Sequence, residues 1–352
     1  DWGYRYFKID GLHTGMPSEN IYINTEYKDQ DFGASLLHDP HATHIEAYRK
    51  GLKEVRRADP EVFILGCNVS QNMMSMGPAI GLMEAMRIGP DNGKAGVGDW
   101  RQVTLGAWHG TNLYFLNGRV WHNDPDPVYV RPENPIDRAR WMCSWLAIAG
   151  GMHTSSEQYD QLPEDRLDLL RRCLPSHELS ARPVDLFETN NPRIWLVEND
   201  RVSILGLFNW EENEEAQISY DLNKLGLDAA QTWVGFDFWE NKFIEPFTGS
   251  LEQTLPEGTC RILAVRSQTN HPQLLSTSRH ITQGLMDVTG EKWDAKSAVL
   301  SGVSEVVGGD SYELRVALPP KGSWKASNVA ASRGEARICL LYTSPSPRDS
   351  DQ

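Results

Sequence analysis

The stretch that decides the fold is Asp1-Trp-Gly-Tyr-Arg-Tyr-Phe-Lys-Ile-Asp10, a short alternating run that ends on a carboxylate. Side chains of a strand point alternately to opposite faces, which places Lys8 and Asp10 on one face together with Tyr4 and Tyr6. A lysine and an aspartate at the C-terminal end of a mostly apolar strand indicate an active-site pair. The chain begins directly at this strand, so we expect a fragment that lacks the earlier strands of its sheet.

Strand-like and helix-like segments alternate from the first strand to about Cys173. The pattern predicts strands at Tyr4–Asp10, Val62–Cys67, Ala85–Gly89, Val120–Asn123 and Gly151–Ser155, and helices at 44–58, 76–84, within 101–116, at 135–149 and at 163–173. Five βα units predict a parallel sheet with helices outside it, as an open doubly wound sheet or as part of a (β/α)8 barrel. The barrel is favoured by polar residues at strand ends, namely Asp10, Cys67, Asp91, Asp124 and Asp126.

From about Ala181 the segments become short, β-rich and separated by turn residues, which predicts an antiparallel β-sandwich. The predicted strands are Arg193–Val197, Val202–Asn209, Ala216–Tyr220, Gln231–Asp237, Lys242–Glu245, Ser250–Leu255 and Arg261–Arg266. We expect a barrel region at 1–180, the sandwich at 181–268 and a mixed β-rich appendage at 269–338. Within the appendage, Tyr312–Ala317 has the pattern of a strand.

The composition and the missing motifs argue against several classes of function. The chain has 352 residues and a formal net charge of −14, which argues against nucleic acid binding because phosphate contacts need clustered lysines and arginines. No apolar run approaches the roughly 20 residues that span a bilayer. No glycine-rich phosphate-binding motif follows a strand, and the five cysteines have no metal-ligand spacing. We therefore expect no nucleotide, metal or other cofactor, while the compartment and the oligomeric state stay open.

The C-terminal end differs in character from the rest of the chain. The string Cys339-Leu-Leu-Tyr-Thr-Ser-Pro-Ser-Pro-Arg-Asp349 resembles the translation of a sequencing adaptor, and the alternative is a disordered tail rich in serine and proline. Residues 339–352 are excluded from the prediction of the fold in either case.

Two short motifs carry candidate chemistry. In Lys8-x-Asp10 the ammonium would keep the carboxylate ionised, as a nucleophile or base requires, although a buried salt bridge is the structural alternative. In Arg87-Ile-Gly-Pro-Asp91 the Gly-Pro pair ends a strand and presents the aspartate in a loop, while the arginine can donate forked hydrogen bonds. The alternative for the second motif is an ordinary turn with an exposed carboxylate.

A third motif, Trp121-His-Asn-Asp-Pro-Asp126, offers an Asp-x-Asp pair that could hold a divalent metal ion. We favour a polar strand end whose carboxylates are satisfied by backbone and arginine groups, since no donor sugar-nucleotide motif accompanies it.

Together these motifs resemble one family in their order along the chain. Trp2-Gly3, Lys8-x-Asp10, Cys67, Arg87-x-x-x-Asp91, Asn123-Asp-Pro-Asp126 and a Trp-rich helix at 141–148 are similar to the catalytic barrel of glycoside hydrolase clan D. This clan holds the α-galactosidase (melibiase) families 27 and 36. The resemblance covers residues 1 to about 180, and the β-rich region after them resembles the C-terminal sandwich of the clan.

The resemblance implies a role for each matched position. It implies that Asp10 is the nucleophile at the end of barrel strand four and Asp91 the acid/base at the end of strand six, so the fragment would hold strands four to eight. It further implies that Lys8 and Arg87 bind sugar hydroxyls, and that Cys67 lies on the pocket wall at the end of strand five. A rim with a mainly architectural role is implied for Asn123, Asp124 and Asp126.

The sequence departs from the clan at three places. Gly11-Leu12 follows Asp10 where family 27 usually has Asn-Cys, the sequence around Asp91 differs from the family 36 pattern, and 13–38 is an unusual insert. Clan membership is therefore better supported than family or substrate.

The implied activity is retaining exo-hydrolysis of α-linked galactose or a related sugar by double displacement, without a cofactor. The alternatives are a transglycosylase or another α-glycosidase on the same scaffold, and a non-catalytic carbohydrate-binding protein. The 352-residue polypeptide is expected to be an inactive or aggregating fragment, because an open half-barrel leaves strand edges uncovered.

Overall fold

The computed structural model describes residues 3–11, 36–67, 73–93 and 96–339. Trp2, most of the predicted insert at 13–38, and 340–352 of the predicted tail lie outside the described residues. In the described part of the chain, no helix is long and apolar enough to cross a membrane.

The first region is built on a parallel sheet of four strands, in the spatial order β1-β2-β3-β4. The strands are β1 (Tyr6–Ile9), β2 (Phe63–Gly66), β3 (Ala85–Arg87) and β4 (His122–Asp124). Each strand pairs in parallel with the next one along the chain, so all four C-terminal ends lie at the same edge. The first four predicted strands are thus confirmed, and the candidate residues at their ends share this edge.

Five helices accompany this sheet, at α1 (His44–Ala58), α2 (Met73–Ala79), α3 (Trp100–Asn112), α4 (Ile136–Ala149) and α5 (Glu164–Cys173). The bounds of α1 match the prediction, because Thr43 and Glu46 form a capping box at its start. Helix α2 begins and ends earlier than predicted, and Gly81 just after it has a positive φ of 79° that a continuing helix does not allow.

The predicted fifth strand at Gly151–Ser155 is wrong. This segment lies beside the end of β4, where the Met152 N–H donates to the Asn123 carbonyl at 2.7 Å. It forms only an isolated bridge between Val128 and Ser155. The facing segment, Pro125-Asp126-Pro127, lacks two of its three N–H donors, so a continuous ladder cannot form.

The second region is antiparallel and matches the predicted strands closely. It contains β5 (Arg182–Pro183), β6 (Ile194–Glu198), β7 (Ser203–Phe208), β8 (Ala216–Asp221), the short helix α6 (Leu222–Leu225), β9 (Trp233–Asp237), β10 (Lys242–Phe247), β11 (Ser250–Leu255) and β12 (Cys260–Ser267). Six of these strands form one sheet in the order β10-β9-β12-β7-β6-β5, and β11 pairs with β8.

The predicted appendage consists of two strand pairs. These are β13 (Gln273–Thr277) with β16 (Leu314–Ala317), and β14 (Val288–Asp294) with β15 (Val299–Ser304). Strand β16 confirms the strand pattern at Tyr312–Ala317. The domain boundaries at 180 and 268 stay predictions.

Alternation along β6 explains how the layers stack. Trp195 and Val197 belong to a core that also contains Trp141 and Ile148 of α4, whereas Leu196 belongs to a second core with β8 and β11. The six-stranded sheet therefore packs one face on the helical region and the other on the β8–β11 pair. Helix α4 is buried over most of its surface, so one core extends across the predicted boundary at 180.

The close contact between α3 and α4 is expected to depend on Gly110. A Cβ atom at this position would overlap the indole ring of Trp145. Gly110→Ala should therefore lower the free energy of unfolding by about 1–3 kcal/mol. Urea unfolding followed by tryptophan fluorescence measures this change.

Gly51→Ala is the matched control, because Gly51 lies in α1 and a Cβ atom added there would have no neighbour within 4 Å. It should stabilise the protein by about 0.5–1 kcal/mol. Equal effects of the two substitutions would contradict the packing described for α3 and α4.

Candidate active site

The candidate site lies at the C-terminal edge of the parallel sheet, where three neighbouring strands end. Asp10 follows β1, Cys67 follows β2, and Arg87 is the last residue of β3. The strands hold these positions side by side, since the Cys67 N–H donates to the Ile9 carbonyl at 2.8 Å. This edge is where catalytic residues of βα folds are found.

Cys67 connects the first carboxylate to the arginine. Its thiol hydrogen-bonds to Asp10, and a guanidinium nitrogen of Arg87 (Nη1) lies 4.0 Å from its sulfur atom. Burial raises the pKa of the Cys67 thiol to about 11, against the opposing effect of Arg87. The side chain is therefore a neutral thiol at pH 7, and Lys8 is close enough to act on it electrostatically.

Arg87 is the centre of the site. Its side chain is 2% exposed, and its two terminal nitrogens pair with different carboxylates. Nη2 lies 2.8 Å from Asp91 Oδ1, and Nη1 lies 2.9 Å from Asp126 Oδ1. Burial lowers the pKa of the guanidinium, but Asp126 and Asp124 outweigh this effect and raise the pKa overall.

Asp126 is buried and has a positive φ of 75°, which aspartate adopts more readily than most residues. Burial raises the pKa of its carboxyl to about 6, although Arg87 and the Asn92 N–H oppose the shift. The pKa values of both partners rise, for different reasons. The pKa of Arg87 rises because three carboxylates stabilise its charged form. The pKa of Asp126 rises because burial and the repulsion of Asp124 and Asp91 together outweigh the attraction of its one cation.

The three residues of the predicted rim make different kinds of contact in the structure. The side chain of Asn123 bonds within the protein, since its amide donates to the Leu113 carbonyl at 3.0 Å and accepts from the Trp121 indole at 3.1 Å. Asp124 is buried and accepts the Asp126 N–H at 2.9 Å. Asp126 contacts Arg87 directly, as the prediction of backbone and arginine partners for these carboxylates allows, although the sequence does not show which arginine it is.

His109, which no sequence motif indicates, lies in α3 next to Gly89 of the loop after β3. A Cβ atom on Gly89 would come within 2.8 Å of the His109 ring, so the loop needs glycine there. Burial, assisted by Arg87, lowers the pKa of His109 to about 4, which keeps the imidazole neutral. The glycine before Pro90 is a signal that could have pointed to this close approach.

The geometry does not fit a metal ion at Asp124-x-Asp126. Arg87 pairs with Asp126 at 2.9 Å and interacts electrostatically with Asp124, so a cation already neutralises both carboxylates. Across the described ranges, no group of three or more histidine, cysteine, aspartate or glutamate side chains could hold a metal ion.

Comparison with solved structures identifies the fold. A family 27 β-L-arabinopyranosidase from Geobacillus stearothermophilus, in complex with arabinose, matches 76% of this chain and 59% of its own length, at a TM-score of 0.57 and 15% identity. The α-galactosidase I of Mortierella vinacea matches 75% of this chain and 68% of its own, at a TM-score of 0.52 and 13% identity. An isomalto-dextranase from Arthrobacter globiformis T6, complexed with panose, matches 77% and 47% at a TM-score of 0.52 and 14% identity.

The chain therefore has a fold similar to that of these glycoside hydrolases, with a parallel βα region followed by an antiparallel β region. More particularly, the chain has the fold of the family 27 enzymes of clan D, which confirms the resemblance found in the sequence at the level of the fold. No family model matches the sequence. The chain spans about 59% of the length of the arabinopyranosidase.

The raised pKa of Asp126 predicts a pH-dependent stability. Its carboxyl is protonated in both the folded and the unfolded state below about pH 4, but above that pH the unfolded state ionises first. The stabilising contribution of Asp126 should thus be lost as the pH rises from about 4 to about 6.

Urea unfolding of the wild type and of Asp126→Asn at several pH values measures this effect. The wild type should lose stability relative to the variant by about 1.4 kcal/mol per pH unit at most in this range. A difference that stays constant from pH 4 to pH 6 would contradict the shift.

Proposed function

We propose that the chain is the catalytic part of a retaining exo-glycosidase that hydrolyses α-linked galactose or a related sugar. The observation that carries the proposal is the line of contacts from Asp10 through Cys67 and Arg87 to Asp91, at the C-terminal edge of three adjacent parallel strands. Two carboxylates at one edge, in the fold of glycoside hydrolases, fit hydrolysis by a carboxylate pair.

In the first step the Asp10 carboxylate attacks the anomeric carbon and forms an ester bond to the sugar. The glycosidic bond breaks at the same time, and its oxygen takes a proton from the Asp91 carboxyl group. The step releases the leaving alcohol and leaves Asp91 as a carboxylate.

In the second step a water molecule attacks the anomeric carbon, and Asp91 removes its proton. The ester bond to Asp10 breaks, which restores the Asp10 carboxylate and the protonated Asp91. Each step inverts the anomeric centre, so the released sugar keeps the configuration of the substrate.

Sugar binding is assigned to the side chains around the carboxylates. Lys8 is exposed on the same face as Asp10 and can donate to a sugar hydroxyl group. Arg87 is 2% exposed with both terminal nitrogens in ion pairs, so its implied contact with a sugar hydroxyl is not supported, and it contributes by holding Asp91. Cys67 forms the apolar wall between Lys8 and Arg87. Asn123 and Asp124 contribute indirectly, because their hydrogen bonds hold the end of β4 and the segment after it in place.

The fold alone is compatible with more than one sugar. The same fold occurs in an α-galactosidase, a β-L-arabinopyranosidase and an isomalto-dextranase. We favour the α-galactoside, whose sugar differs from the β-L-arabinopyranoside by one hydroxymethyl group. The inactivity of the 352-residue polypeptide stays a prediction.

The stereochemistry of the product tests the mechanism. Hydrolysis of an α-galactoside followed by proton NMR should show α-galactose as the first anomer, because two inversions restore the starting configuration. β-Galactose as the first product would exclude double displacement. A lack of hydrolysis of α-galactosides and β-L-arabinopyranosides alike would contradict the proposed sugars.

Substitution of the two carboxylates tests their roles. Asp91→Asn should lower kcat/KM on an alkyl galactoside by about 10²–10⁴-fold, the usual contribution of a general acid. Asp10→Asn should abolish turnover of every substrate, because an amide cannot form the ester intermediate. Steady-state kinetics on purified variants measures both effects.

Asp168→Asn provides the control, since Asp168 lies on α5, is 41% exposed and pairs with Arg172. It should retain wild-type activity. Wild-type turnover by Asp10→Asn would rule out Asp10 as the nucleophile.

A further inference from the structure

Asp91 and Asp126 differ in how firmly the structure holds them, although both pair with Arg87. The Asp91 side chain is 55% exposed and lies in a loop between Gly89 and Gly93. The Asp126 side chain is 10% exposed, and its carboxylate also accepts the Asn92 N–H at 2.6 Å.

The segment that carries Asp126 is fixed from several sides. The carboxylate of Asp124 accepts the Asp126 N–H, and the side-chain amide of Asn92 donates to the Pro125 carbonyl at 3.1 Å. A Cβ atom on Gly106 of α3 would come within 2.6 Å of the same carbonyl oxygen, so the helix packs directly against this segment. Asp126 is thus a rigid anchor at the floor of the site.

Arg87 transmits this rigidity to the exposed loop. A guanidinium is planar, and its two terminal nitrogens have a fixed separation and direction. With Nη1 held by Asp126, Nη2 has a defined place, and the Asp91 carboxylate is held against it at 2.8 Å. If Asp126 loses its charge, Nη1 loses its carboxylate partner, and the place of Nη2 beside Asp91 is less well defined.

We infer that Asp126 is a positioning residue that sets the place of the acid/base Asp91 through the shared Arg87 guanidinium. The inference rests on the proposed function, since it needs Asp91 as the proton donor. It extends that function, because Asp126 then positions a catalytic group and is more than part of an architectural rim.

The inference can be distinguished from a structural role because acid assistance depends on the leaving group. An alkyl alcohol needs a proton as it departs, whereas an acidic phenol departs without one. Both substrates can carry the same galactose, so any loss of sugar binding lowers kcat/KM for both by the same factor. A misplaced acid instead lowers kcat/KM for the alkyl substrate more than for the aryl substrate.

The test compares kcat/KM of the wild type and Asp126→Asn on methyl α-galactoside and on 2,4-dinitrophenyl α-galactoside at pH 7. Asparagine suits the positive φ at this position, so the backbone is preserved. The ratio of the aryl to the alkyl value should rise by about tenfold to 10²-fold, the scale of a catalytic group displaced by about 1 Å. Asp91→Asn, measured in parallel, gives the ratio for complete loss of the acid.

The matched control is Asp237→Asn, which removes another buried carboxylate, paired with Arg261 at 2.6 Å in the antiparallel sheet. It should leave the ratio unchanged even if the protein becomes less stable. Should Asp126→Asn fail to fold, Arg87→Lys tests the same point, because a single ammonium cannot hold two carboxylates in a fixed fork. The same rise in the ratio is expected.

Three results would overturn the inference. An unchanged ratio in Asp126→Asn, alongside a raised ratio in Asp91→Asn, would remove the positioning role and leave the proposed function intact. A raised ratio in Asp237→Asn would show that the readout reports stability. A wild-type protein that turns over neither substrate would overturn the proposed function together with the inference.

Discussion

The charge of Arg87 is the constraint to which the rest of the site responds. A guanidinium that is 2% exposed has lost its water, and the loss is tolerated only where carboxylates and hydrogen bonds replace it. Asp91, Asp124 and Asp126 supply that compensation from the loop after β3 and from the segment after β4. One cation thus joins the loop after β3 to the segment after β4.

This arrangement also explains why one carboxylate is deeply buried and another is accessible. Asp126 satisfies the inner side of the guanidinium, where water is excluded, and this burial raises the pKa of its carboxyl. Asp91 pairs with the outer side of the guanidinium and is 55% exposed. The same cation thus lies between a buried carboxylate and an exposed one.

The sequence predicted those parts of the molecule that local rules control. The bounds of α1 follow from its capping box, and the strands of the antiparallel region follow from alternation and turns. The strand at Gly151–Ser155 failed because the prolines that face it remove ladder donors, a property of its partner. The positions of Asp10, Cys67 and Asp91 could be predicted because each follows a strand that is visible in the sequence. The contact of Asp126 with Arg87 could not, because it depends on which two strands are adjacent in the sheet.

The burial of helix α4 has a consequence for how the two regions unfold and evolve. It is buried over most of its surface and supplies one core to both the helical region and the antiparallel sheet, with its Trp141 indole donating to the Asn209 carbonyl at 3.0 Å. Such a core couples the opening of the two regions, so amides in β7 and in α4 should exchange with solvent in one cooperative event. The β-rich region is therefore a poor candidate for a detachable module, and evolution could have exchanged it only together with the helix that it covers.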